Sequence, residues 1–148
     1  MRKALIVAIA LALPGAAVAA DAGLVKVSKG SVQIQRGGTK MPAVVGTAVR
    51  TSDVIVTGAD GSAGITFTDN SLVSVGPNSV FAIDKYRFDT TTHAGEFEGN
   101  LKQGRLAAVS GKIVKQAPEA MKIRTPSAVM GVRGTEFVVQ VDEPQAKQ

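Results

Sequence analysis

The chain has 148 residues, a formal charge of +5, 45% hydrophobic residues, and neither cysteine nor tryptophan. Without cysteine it has no thiol nucleophile, no cysteine-held metal and no lipid-bearing cysteine. The charge is mild, two of its units sit at Arg2 and Lys3, and nothing in it argues for a nucleic-acid partner.

Arg2 and Lys3 precede an apolar run from Ala4 to Leu13, which Pro14-Gly15 breaks before the small residues Ala16 to Ala20. That is the layout of a cleavable export signal, whereas a spanning helix needs about 20 apolar residues. Residues 1–20 are expected to be a signal peptide, 21–141 one domain and 142–148 a polar tail. Cleavage after Ala19 or Ala20 leaves about 128 residues, enough for an apolar core without disulfides. No later segment is apolar for long enough to span a membrane, so a periplasmic or secreted protein is expected.

From Leu24 onward the pattern is strands and turns. Val25 to Val27 and Val32 to Gln35 alternate with period two around a turn at Lys29-Gly30-Ser31, and Arg36-Gly37-Gly38 turns again. Val44 and Val45 lead to Gly46-Thr47, and Val49 points inward before Thr51-Ser52-Asp53. Val54 to Val56 is a short strand, and Gly58 to Ser62 a turn in which Asp60-Gly61 suits positive φ. Ala63, Ile65 and Phe67 share one strand face, Asp69-Asn70-Ser71 and Gly76 to Ser79 turn, and Leu72 to Val75 and Val80 to Ile83 run straight. After a polar loop from Asp89 to His93, strands are read at Glu96 to Glu98, Arg105 to Val109, Met121 to Arg124 and Phe137 to Val141. Ser110-Gly111-Lys112 turns, Gln116 to Ala120 connects, and no segment reads as a long helix.

Candidates for chemistry are few. His93 is the only histidine and lies in a polar loop, and Ser110 stands two residues from Lys112 without the Ser-x-x-Lys spacing of penicillin-binding enzymes. Asp53, Asp60, Asp69 and Asp84 sit at turns, where such side chains bond nearby backbone, and lack the glycine-rich nonapeptide pattern of calcium β-rolls. Glu96 and Glu98 share a face that is expected to be solvated. No catalytic residue, cofactor or metal is expected. Basic residues concentrate late, and Lys102, Arg105, Lys112, Lys115 and Lys122 are candidate contacts for an anionic envelope polymer such as a glycan or lipopolysaccharide.

The stretch from Ile123 to Val139 holds Thr125-Pro126, a small apolar segment, Gly131-Val132-Arg133-Gly134-Thr135, Glu136 and Phe137. It resembles the signature of the FecR domain family. Gly30-Ser31-Val32, Gly46-Thr47, Asp53 to Gly58, Gly61-Ser62-Ala63, Asp69-Asn70-Ser71, Gly76 to Ser79 and Leu101 to Gly104 also fall where that family has them. The resemblance implies a periplasmic β-rich domain without known chemistry. In some members that domain follows an anti-sigma segment and a transmembrane helix, neither of which is read here. Within the motif, Thr125-Pro126 is expected to be extended, and Gly131 and Gly134 to take special backbone angles. Arg133 is expected to pair with Glu136 or fork onto carbonyls, as a staple more than as a contact.

The expected architecture is all-β, with about ten short strands in two facing layers wound as a solenoid-like roll; a β-sandwich is the alternative. The expected role is a non-enzymatic binding or scaffold module contacting an envelope protein, with glycan or polyanion binding as the alternative.

Overall fold

The structure, a computed structural model, describes residues 21–131 and 136–141. The signal-peptide reading of residues 1–20, the motif positions Arg133, Gly134 and Thr135, and the tail 142–148 lie outside the described residues.

Alternating apolar residues make nearly every described segment a strand. In chain order these are β1 (Asp21–Lys29), β2 (Val32–Arg36), β3 (Thr39–Pro42), β4 (Ala48–Arg50), β5 (Val54–Thr57) and β6 (Ser62–Phe67). Then come β7 (Leu72–Val75), β8 (Val80–Phe88), β9 (Gly95–Val109), a short helix α1 (Lys112–Gln116), β10 (Met121–Arg124), β11 (Val129–Gly131) and β12 (Glu136–Val141). The strands form one connected sheet in the order β3-β2-β5-β8-β9-β7-β6-β1-β4, with β10 and β12 also on β9 and β11 on β10. The sheet curls into an antiparallel half-barrel, the parallel pair β9·β10 excepted. The all-β expectation holds. A wound two-layer roll and a closed sandwich are not established by this pairing, which joins all twelve strands into one sheet.

The register explains the curl. β2 pairs β5 from Val32↔Thr57 to Gln35↔Val54, and the same two arms continue past a turn as β1 and β6, from Lys29↔Ser62 to Gly23↔Phe67. β5·β8 likewise continues as β6·β7, and β8·β9 as β7·β9. Turns therefore alternate in kind along the chain. Those at Gly37-Gly38, Thr68 to Ser71 and Asp89 to Ala94 reverse the chain between paired strands. Those at Gly30-Ser31, Gly58 to Gly61, Gly76 to Ser79 and Gly104 bend an arm without ending its ladder.

The bends line up and are tied together. Gly58 N–H donates to Ser31 O at 2.9 Å, Asn78 N–H to Gly58 O at 3.0 Å and Gly76 N–H to Arg105 O at 2.8 Å. Buried Thr57 donates through Oγ1 to Gly76 O at 2.6 Å and accepts from Ser79 N–H at 2.9 Å. In the long strand β9 the bend falls at Gly104, whose φ of 94° is in the left-handed region, with Ser79 packed where a side chain would stand. One expectation is corrected here: Asp60-Gly61 does not take positive φ. Gly30 does, at 63°, and Asp60 instead accepts Ser31 N–H through Oδ1 at 3.3 Å.

Inside the curl lies a single core. Ala63, Ile65 and Phe67 point inward as the alternation requires, with Val49, Ile55, Phe81, Leu101, Leu106 and Ile123. Phe67 meets Phe97 edge-on at 4.6 Å between ring centres, and both meet Tyr86 at 5.2 and 5.4 Å. Each such aromatic contact adds about 0.5–1.5 kcal/mol beyond area burial. Helix α1 covers the core at the end of β9, burying Ile113 and Val114.

Candidate protein-binding surface

In a strand whose inner face is buried, alternate side chains point outward, and here many of them are apolar or small. One outward row runs Leu24, Thr66, Leu72, Val109 and Glu136 across β1, β6, β7, β9 and β12; the next runs Val27, Gly64, Ser74, Ala107 and Val138. Leu24 is 39% exposed, Val27 45%, Leu72 46%, Val109 37% and Val138 53%. The small residues of the second row leave a shallow hollow of about 310 Å³, lined also by Val27 and Arg105. Scattered surface apolar residues need no explanation, but a contiguous band on one face is the mark of a docking surface.

The sequence candidates fall elsewhere or at its margins. Thr125 and Pro126 form the tip of the β10–β11 hairpin, where Ala128 N–H donates to Thr125 Oγ1 at 3.1 Å and Thr125 N–H to Ala128 O at 2.8 Å. Gly131 ends β11 with no positive φ and with none of the described residues within 4 Å of where a side chain would stand, which corrects the expectation of a special angle there. Glu136 and Phe137 open β12, Phe137 partly packed on the core. The basic candidates are divided: Lys102 and Arg105 flank the bend of β9, Lys112 and Lys115 ride on α1, and Lys122 lies on β10 opposite Glu98.

Several acids carry structure the sequence did not reveal. Asp53 is fully buried and takes a two-pronged bond from Arg36, plus Arg50 N–H at 2.8 Å. This carboxylate holds the Arg36 guanidinium above its ordinary pKa, against the opposing effect of burial. Asp69, also fully buried, accepts Ser71 N–H and Tyr86 O–H at Oδ1 and Ser71 O–H and Ile113 N–H at Oδ2, fastening α1 to the β6–β7 turn. Burial foremost pushes the Tyr86 phenol up to about 12. Glu98 is buried rather than solvated, with Arg124 at 3.7 Å, because β10 packs alongside β9. Parallel pairing of β10 is a long-range event with no local signal. His93 turns the β8–β9 connection at φ 60° and stacks on Phe88. Among the described residues no three His, Asp or Glu side chains gather as a metal site, and no helix is long and apolar enough to cross a membrane.

The FecR protein family model matches residues 53–147. The chain belongs to the FecR family. The match begins at Asp53, so the Gly30-Ser31-Val32 and Gly46-Thr47 likenesses stand outside it. No curated protein and no solved structure matches the chain. FecR membership supports a module of the envelope-signalling type.

Proposed function

We propose that this FecR chain is exported through its N-terminal segment and acts, without catalysis, as a binding or scaffold module in envelope signalling or assembly. Its contacts are with protein. The observation that carries this reading is the outward apolar band, with Val27, Leu72, Val109 and Val138 each more than a third exposed in neighbouring strands. Burying such side chains contributes roughly 25 cal/mol per Å² of apolar area, the main favourable term in protein association.

The test is photo-crosslinking in living cells, with the reactive group at Val27 or Val109, and at exposed Thr90 as the control. One discrete envelope protein captured from the first two positions, and lost on Leu72→Ser, is the expected outcome. Capture only of glycan or lipopolysaccharide that salt releases overturns the reading in favour of polymer binding. Fractionation of the same cells checks export: a chain retained in the cytoplasm at full length refutes it.

A further inference from the structure

Among the described residues four strands end the sheet, and three of them are blunted. β3 carries Lys40 and Pro42; β4 is three residues long, with Arg50 held by Asp21 at 2.9 Å; β11 is three residues long and ends in glycine. Lysine, proline and shortness are the usual ways in which an edge is kept from pairing with another chain. The fourth edge, β12, has none of them. It runs six residues as Glu-Phe-Val-Val-Gln-Val, has an unbroken register against β9, and has that one partner strand among the described residues. Val138 stands 53% exposed on its outer face, and Phe137 and Val141 on the inner face are packed on the core but only partly covered.

We propose that β12 is the dimer seam of this protein, pairing antiparallel with β12 of a second copy about a two-fold axis through Val138. The choice of a second copy rests on self-complementarity. Directly opposite residues in an antiparallel pair share a face, so the register must set outward side chains against outward ones. Centring on Val138 does this. Val138 meets Val138 of the copy, Glu136 meets Gln140 on each side of the axis, and Phe137 meets Val139. The one charge of the strand thus faces a neutral amide, and no like charges oppose each other. The partly covered Phe137 gains an apolar neighbour, and the outward row from Val27 to Val138 runs on into the second chain. Such an interface is closed, since each copy offers the same edge once, and does not grow into fibres.

The natural absence of cysteine provides a clean test. Opposite residues of an antiparallel pair have Cα atoms about 4.5–5.5 Å apart, within the span a disulfide accepts. The full chain, as it accumulates in cells, is sized by light scattering across a range of concentrations, beside Val138→Lys, Val138→Cys and Val27→Cys forms. The expected results are a two-chain mass for the parent and a one-chain mass for Val138→Lys with an unchanged circular dichroism spectrum. Mild oxidation should cross-link Val138→Cys and leave Val27→Cys single. A parent of one-chain mass at every concentration overturns the proposal. So does a two-chain mass in which Val138→Cys fails to cross-link, and this holds even if the lysine form does not fold. Neither result touches the partner captured at Val27 or Val109.

Discussion

Arg36 lays its guanidinium along the Asp53 carboxylate, Nε to Oδ1 at 2.8 Å and Nη2 to Oδ2 at 2.7 Å, and so ties the end of β2 to the turn that starts β5. The acid side chain is 1% exposed and the arginine 29%. Removing one member of a buried pair leaves the other charge without compensation, at a cost of roughly 3–5 kcal/mol, and the partial exposure of Arg36 sets the lower end. Asp53→Ala should therefore lose about 3 kcal/mol in urea unfolding. A loss within about 0.5 kcal/mol, the usual surface range, would show the pair to be ornamental.

Tyr86 is the only tyrosine, and tryptophan is absent, so its ionisation can be followed by ultraviolet absorbance alone. The folded chain should titrate near 12, against about 10 for the chain in denaturant. The raised value means the neutral phenol is favoured by the fold. Its contribution is complete below pH 10 and is lost as pH rises from 10 to about 12. A midpoint near 10 in the folded protein would contradict the burial of this ring.

Thr57 holds the aligned bends by donating to Gly76 O and accepting from Ser79 N–H. Thr57→Val keeps the shape and leaves buried groups without their partner, which costs about 1–3 kcal/mol. Hydrogen exchange should quicken at the Ser79 amide before it does in the strands. Unchanged protection there would mean that the bend does not depend on this hydroxyl.

Two glycines of the family-matched segment should behave oppositely. Gly104→Ala forces a side chain into Ser79, at 2.5 Å from its Cα, with φ in the left-handed region, and should lose about 3 kcal/mol. Gly131→Ala meets none of the described residues within 4 Å and carries no positive φ, so it should stay within about 0.5 kcal/mol of the parent. Thermal unfolding of the two variants checks the contrast. A large loss at Gly131 would reveal a contact made beyond the described residues.

Much of this protein was legible locally. Alternation placed Ala63, Ile65 and Phe67 inside, and turn residues marked nearly every break between strands, because face and turn conformation are set by a few neighbouring residues. β3 and β11 escaped notice, since short polar or glycine-ending edge strands have no buried face to make them alternate.

What the sequence by itself determined is where strands run, where they stop and which side chains are apolar on each face. Only the tertiary structure decided which turns reverse the chain and which merely bend it, since that depends on whether the ladder continues with a strand tens of residues away. It also decided that Asp53, Asp69 and Glu98 are buried and that the late basic residues divide among three elements. A carboxylate has the same local pattern in water as in a core. Its burial is settled by Arg36, Tyr86 and β10, which long-range pairing alone brings to it.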